Sequence, residues 1–119
     1  MKRINLFEIV GKRVLVTRES ARSLETIVLT ALVEGQGEVE LDFSGVDGLT
    51  PSFFDETLAI LEESAVEGDE SQFHILMTNP PTELSSKFAA VSRGHNLALD
   101  ELENGTWVIT KSIQREGET

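Results

Sequence analysis

The feature that most constrains the fold is a strictly alternating segment between residues 38 and 43. Its apolar side chains are Val39, Leu41 and Phe43, and acidic side chains occupy the positions between them. Successive side chains of a strand point to opposite faces, so the three apolar residues share one face. Residues 44–48, Ser-Gly-Val-Asp-Gly, then break the pattern with turn-forming residues. The segment predicts a strand that has one buried face and ends in a surface loop.

A helix start follows this loop directly. Thr50 is a residue type that caps helices, and Pro51 suits the first helical position because its missing N–H is not needed there. Because 3.6 residues make one turn, Phe53 lies about 100° around the helix from Phe54. Phe53 is therefore either a partly exposed anchor for docking or part of a wider buried stripe. The predicted inward positions are Phe54, Leu58, Leu61 and Ala65, with Phe53, Thr57 and Ile60 beside them.

The remaining elements complete an α/β pattern. Two strands over residues 4–10 and 13–16 are predicted to form an opening hairpin, and Thr17 is predicted to cap the next helix. Phe73–Met77 is almost continuously apolar, which is typical of a central strand covered on both faces. The predicted order is β-β-α-β-α-β-α-β, a mixed β-sheet with helices on right-handed crossovers. The segment 96–100 stays ambiguous. The other inward helix positions are Leu24, Ile27, Val28, Ala31, Leu32, Leu84, Phe88 and Val91, and the last strand is Trp107–Ile109.

Size and charge restrict the function. A chain of 119 residues fits one domain, predicted over residues 1–113, with a flexible polar tail at 114–119. Ten Lys and Arg against 21 Asp and Glu give a formal net charge of −11, which repels nucleic-acid phosphates and anionic lipid, so neither is expected as a partner. No cysteine is present, and charged residues interrupt the N-terminal apolar run before signal-peptide length. A cytoplasmic protein is expected.

Candidate chemistry is sparse. His74 lies in an apolar strand and His95 after a helix, where it is predicted to act as a C-terminal cap, and neither has a sequence partner that suggests a triad. Asp42, Asp47 and Asp55 either hold a hard cation or, as we favour, form a solvated acidic rim. No phosphate-binding glycine loop is present. We therefore predict no catalytic, cofactor-binding or metal-ligating residue.

The stretch Glu38–Glu62 resembles the signature region of STAS domains, which sulphate transporters and anti-sigma factor antagonists share. The resemblance rests on a strand that ends in an acidic residue, a short Gly/Val loop, and a helix opened near Thr50. The run Leu-Asp-Phe-Ser-Gly-Val-Asp-Gly-Leu-Thr-Pro-Ser-Phe is most similar to a STAS-like subgroup of unknown function. The element order also matches, so the resemblance extends from Ile4 to Ile109.

In the anti-sigma factor antagonists, this resemblance implies, an ATP-using partner kinase phosphorylates a serine at the helix start and switches binding off. Ser52 takes that serine's position and Thr50 that of the family's aspartate, whereas Pro51 and Phe53 replace a serine and a glycine. The expected phosphosites are Ser52 and Thr50. Capping alone also explains both hydroxyls. The predicted partner-binding residues are Asp47, Thr50, Ser52, Phe53, Asp55 and Glu56.

Three functions follow from these features. The first is a non-enzymatic regulatory module that binds a protein partner, such as an ATPase-type anti-sigma kinase, and is switched by phosphorylation. The second is an acidic, antitoxin-like inhibitor that neutralises a basic toxin or nuclease. The third is a small enzyme with an unrecognised site. No cofactor is expected, and the sequence does not indicate an oligomeric state.

Overall fold

The computed structural model describes residues 1–67 and 73–111. The predicted tail at 114–119 and the side chain of Ala65 lie outside what is described. Among the described residues, no helix has both the length and the apolar character needed to cross a membrane. The elements are β1 (Lys2–Asn5), α1 (Leu6–Val10), β2 (Val14–Leu15), α2 (Arg18–Arg22), α3 (Glu25–Glu34), β3 (Glu38–Asp42), β4 (Gly48–Leu49), α4 (Pro51–Glu67), β5 (His74–Thr78), α5 (Ser86–Gly94), β6 (Leu97–Glu101) and β7 (Trp107–Lys111).

Five of the described strands form one mixed sheet in the order β1-β3-β5-β7-β6. The strands β1, β3 and β5 are parallel, and β7 runs antiparallel to both β5 and β6. Parallel neighbours need a crossover, which α3 and α4 supply, whereas β6 and β7 are joined as a hairpin. The α/β class and the mixed sheet predicted from the sequence are confirmed.

The sheet buries one face against the helices. Leu41 of β3 lies opposite Ile4 and Met77 in the parallel register, and all three are buried. The intervening residues Glu40 and Leu76 are partly exposed. The strand at residues 73–77 is central, as predicted, but the prediction that it is covered on both faces is wrong, because its burial alternates along its length.

The predicted opening hairpin is also wrong. β1 pairs with β3 and ends at Asn5, whose side chain accepts a hydrogen bond from Glu8 N at 2.8 Å and caps α1. The apolar residues at positions 6–10 fit the period of a helix and that of a strand, and the Asn5 cap favours the helix. Gly11, at φ 78°, ends α1, and β2 then pairs in parallel with β4 in a second, two-stranded sheet.

Two helices replace the one predicted after Thr17. The Thr17 side chain caps α2 as expected, accepting from Ser20 N at 3.0 Å. The chain then turns at Ser23 into α3, which places Ile27, predicted to face inward, on the surface at 38% exposure. The ambiguous segment 96–100 forms β6, which begins after Asn96 in the left-handed region at φ 59°.

Candidate docking site at the start of helix α4

The loop after β3 is fixed by the small second sheet. Phe43 and Val46 are buried and joined by a hydrogen bond from Val46 N to Phe43 O at 2.9 Å. Further on, Asp47 N donates to Arg13 O at 2.6 Å, and Thr50 N donates to Leu15 O at 3.0 Å. The residues before α4 are therefore held against β2 in a defined conformation.

Thr50 is the N-cap that the sequence predicts. Its hydroxyl oxygen accepts a hydrogen bond from Phe53 N at 3.2 Å, and the hydroxyl donates to Val16 O at 2.6 Å. One bond satisfies a first-turn amide of α4 and the other ties the helix to the chain after β2. The Thr50 hydroxyl thus both donates and accepts a hydrogen bond inside the domain.

Ser52, two residues later, is exposed, and its hydroxyl has no hydrogen-bond partner in the described part of the chain. It is the second residue of α4, where the helix dipole favours an anion. Of the two predicted phosphosites, Ser52 is the one whose oxygen is open to solvent.

Phe53 is not an exposed anchor. It is 1% exposed, as is Phe54, so the wider buried stripe is the correct one of the two interpretations. The physical reason is that α4 packs against α2, α3 and α5 together, and a helix with three helical neighbours buries more than a narrow face. Phe53 therefore belongs to the core and is removed from the predicted partner-binding residues.

Two valines replace it as apolar groups at the surface. Val14 is 49% exposed and Val16 is 44% exposed, while Leu15 between them is fully buried. The sequence contained the signal, since alternation in residues 14–16 turns the two valines to the face opposite Leu15. We call Val14, Val16, Asp47, Thr50 and Ser52 the α4-start surface.

Asp47 lies at one end of this surface and is exposed. Its carboxylate faces Arg13 Nη1 at 3.6 Å, and the Arg13 guanidinium also lies 5.6 Å from the centre of the Phe7 ring. Both charged side chains are about two-thirds exposed, at 66% and 67%. The ion pair is therefore solvated.

Asp55 and Glu56, also predicted to bind a partner, are instead held in ion pairs. Arg18 binds Asp55 and lies 3.7 Å from Glu56, and Arg22 Nε donates to Glu56 Oε2 at 2.8 Å. The hydrogen bond from Arg18 and a second one from His95 lower the pKa of Asp55. The two arginines, which look scattered in the sequence, thus fasten α2 to α4.

The strand-end cluster is the second polar arrangement near the loop, and it consists of Asp42, Arg3, Ser44 and Asn79. Asp42 Oδ1 accepts from Ser44 N at 3.0 Å, Ser44 Oγ at 2.9 Å and Asn79 Nδ2 at 2.9 Å, while Oδ2 accepts from Arg3 Nη2 at 2.5 Å. Burial alone would raise the pKa of Asp42, but the hydrogen bonds from Asn79, Ser44 and Arg3 outweigh it and lower the pKa strongly.

The three aspartates weighed as a cation site are separated. Asp42 pairs with Arg3, Asp47 with Arg13, and Asp55 with Arg18. Within residues 1–67 and 73–111, no group of three or more His, Cys, Asp or Glu side chains could hold a metal ion. Each carboxylate is charge-compensated by its own arginine.

The two histidines differ in environment. His74 begins β5 and is partly exposed, and its backbone N–H donates to Gly37 O at 2.9 Å. His95 is the C-cap of α5, as the sequence predicts, through its backbone N–H. Its ring also lies between two carboxylates of α4, a contact that no local sequence pattern indicates.

Comparison with known proteins gives one match. A family model described as a STAS-like domain of unknown function (DUF4325) matches residues 20–83, more than half of the chain. The matched stretch includes β3, β4, α4 and β5, and therefore the loop and helix start described above. No curated protein and no solved structure matches the chain.

Proposed function

The chain belongs to the STAS-like domains of unknown function, and on that premise we propose that it is a non-enzymatic regulatory module that docks onto a partner protein through the α4-start surface. The observation that carries the proposal is the exposure of Val14 and Val16 beside the unpartnered hydroxyl of Ser52. Apolar side chains next to an exposed helix start offer a partner contact area.

Ser52 is also the residue at which such docking would be switched. A phosphate there would add a charge of nearly −2 in the first turn of α4, where the dipole stabilises it by about 1 kcal/mol. Asp55 and Glu56, one turn further along the same helix face, are already paired with Arg18 and repel it less than free carboxylates would. The modification would leave the fold intact and place a dianion on the docking face.

The antitoxin-like alternative requires a different surface. Although the net charge is −11, the side chains around the α4 start include Arg13 and Arg18, which are 67% and 54% exposed. A basic toxin would gain little at this position and would bind elsewhere on the acidic domain. The family is not known as one of enzymes, and no observation on the described residues favours the third function.

A crosslinking experiment tests the docking proposal. A photoreactive amino acid is introduced in the full chain at Val16, at Ser52 or, as the control, at Glu103 in the turn between β6 and β7, and the cells of the native host are irradiated. We expect one protein to be captured from both Val16 and Ser52, and much less of it from Glu103. Equal capture from all three positions would contradict docking at the α4 start.

The switch is then tested on that partner. Ser52→Asp should weaken binding at least tenfold, and Ser52→Ala should leave it nearly unchanged, because only the first adds charge. A captured protein that is strongly basic, with a rate of association that falls steeply with salt, would favour the antitoxin-like function instead.

A further inference from the structure

His95 is held rigidly by the chain on both sides of it. Its backbone N–H donates to Ser92 O at 3.0 Å and closes α5, and Asn96 then turns the chain through the left-handed region. Leu97, the first residue of β6, is buried. The backbone at His95 is therefore fixed, and the His95 side chain, 17% exposed, points toward α4.

The ring bridges two carboxylates of one helix. Nε2 lies 2.5 Å from Asp55 Oδ1, and Nδ1 lies 2.8 Å from Glu62 Oε1. Asp55 and Glu62 are seven residues apart, about two turns, and so lie on the same face of α4. Carboxylates only accept hydrogen bonds, and an imidazole donates from both nitrogens only when it is protonated.

Charges of both signs surround the ring. Asp55 also binds Arg18 of α2, and the next carboxylate pair on α4, Glu56 and Glu63, faces Arg22. On the side of α5, Arg93 lies in the last turn. Burial by itself would lower the pKa of His95, but the hydrogen bonds with Glu62 and Asp55 outweigh burial and raise it.

We propose that His95 is a proton-operated latch that fastens the end of α5 to α4. The protonated ring donates to Asp55 and Glu62 together and joins the two helices. When the ring loses its proton, the lone pair of one ring nitrogen faces a carboxylate, and the hydrogen bond at that nitrogen is lost. The junction between α5 and β6 then loosens. The latch binds α4 beyond its first turn, which carries the α4-start surface. It does not depend on the proposed docking function.

The sign of the pH effect follows from the contacts. Because the folded protein holds the proton of His95 more tightly than the unfolded chain does, the stabilisation is complete in mild acid, below the unfolded pKa of about 6.5. It is lost as the pH rises through the higher pKa of the folded state.

The protonation of His95 can be followed directly, because the chain has only one other histidine. The His95 imidazole is titrated by NMR in the full-length protein, and the unfolding equilibrium is measured from pH 5.5 to 9 for the wild type and His95→Asn. We expect His95 to titrate above 6.5. At pH 6, His95→Asn should lower the folding equilibrium constant about tenfold, and the loss should shrink to less than about threefold by pH 9.

Glu62→Gln provides a second variant that retains a hydrogen-bond acceptor but removes the charge. It should shift the titration of His95 downward, because Glu62 is one of the two carboxylates that raise its pKa. If His95 titrates at or below 6.5 in the wild type, or if the stability curves of the wild type and His95→Asn run parallel across the pH range, the latch is refuted.

Discussion

The segment that joins β3 to α4 has two ends with opposite chemistry. At the strand-end cluster, Asp42 is 2% exposed and both of its carboxylate oxygens are hydrogen-bonded. At the α4-start surface, Ser52 is exposed and has no partner in the described residues, and Val14 and Val16 are nearly half exposed. A buried carboxylate must be satisfied from within, whereas an exposed hydroxyl and two valines need nothing from the fold. The first end fixes the loop, and the second is the surface that we propose for docking.

The difference predicts that substitutions at the two ends act on different properties. Changes in the strand-end cluster should appear as lost stability, whereas changes on the α4-start surface that add charge or bulk should weaken the proposed docking and leave stability nearly unchanged. Thr50 lies between these extremes, because its hydroxyl belongs to the surface but makes two internal hydrogen bonds. Substitutions at Asp42, Thr50 and Ser52 therefore test the comparison in steps of decreasing effect on folding.

The largest effect is expected for Asp42→Ala. Removing the carboxylate takes away one acceptor of the Asn79 amide, the acceptor of the Ser44 N–H and the partner of the Arg3 guanidinium, which should lower the free energy of unfolding by about 3 kcal/mol. Urea unfolding of the wild type and the variant at pH 7 measures this difference.

The pH dependence of the same variant adds a second readout. Because folding lowers the pKa of Asp42, its stabilising contribution is complete above the ordinary range near pH 4 and is lost as the pH falls further. The stability gap between the wild type and Asp42→Ala should therefore narrow in acid. Asp47→Ala, in an exposed ion pair, is the control and should change stability by no more than about 0.5 kcal/mol. Equal losses for both aspartates would remove the distinction between the two ends.

An intermediate effect is expected for Thr50→Ala. Loss of the N-cap and of the hydrogen bond to Val16 O should lower the free energy of unfolding by about 1–2 kcal/mol. Thr30→Ala, at an exposed position of α3, is the matched control and should cost nothing, because alanine is the better helix former. A neutral Thr50→Ala would mean that α4 does not depend on its cap.

Local signals made this region predictable. Thr50 and Pro51 mark the start of α4 through capping chemistry that involves only adjacent residues, and strict alternation marks β3. Both elements are found where the sequence places them. The same alternation at residues 14–16 places Val14 and Val16 on the face opposite Leu15, and both valines are exposed.

Non-local contacts explain what was missed. The apolar run at residues 6–10 satisfies both a helix and a strand, so the partner of β1 could not be determined from its own sequence. Whether Phe53 is buried depends on three helices packing around α4. The ion pairs of Arg18 and the double contact of His95 join residues more than 30 positions apart, and no spacing rule reaches that far.

Ser52→Ala should have the smallest effect on folding and is for that reason the most informative substitution. It removes a hydroxyl two residues beyond Thr50 on the same helix, but one without a partner in the described structure, so the free energy of unfolding should stay within about 0.5 kcal/mol of the wild type. Thermal and urea unfolding alongside Thr50→Ala make the comparison direct. If the two variants lose equal stability, Ser52 serves the fold as Thr50 does, and the α4-start surface loses the free hydroxyl on which the proposed switch depends.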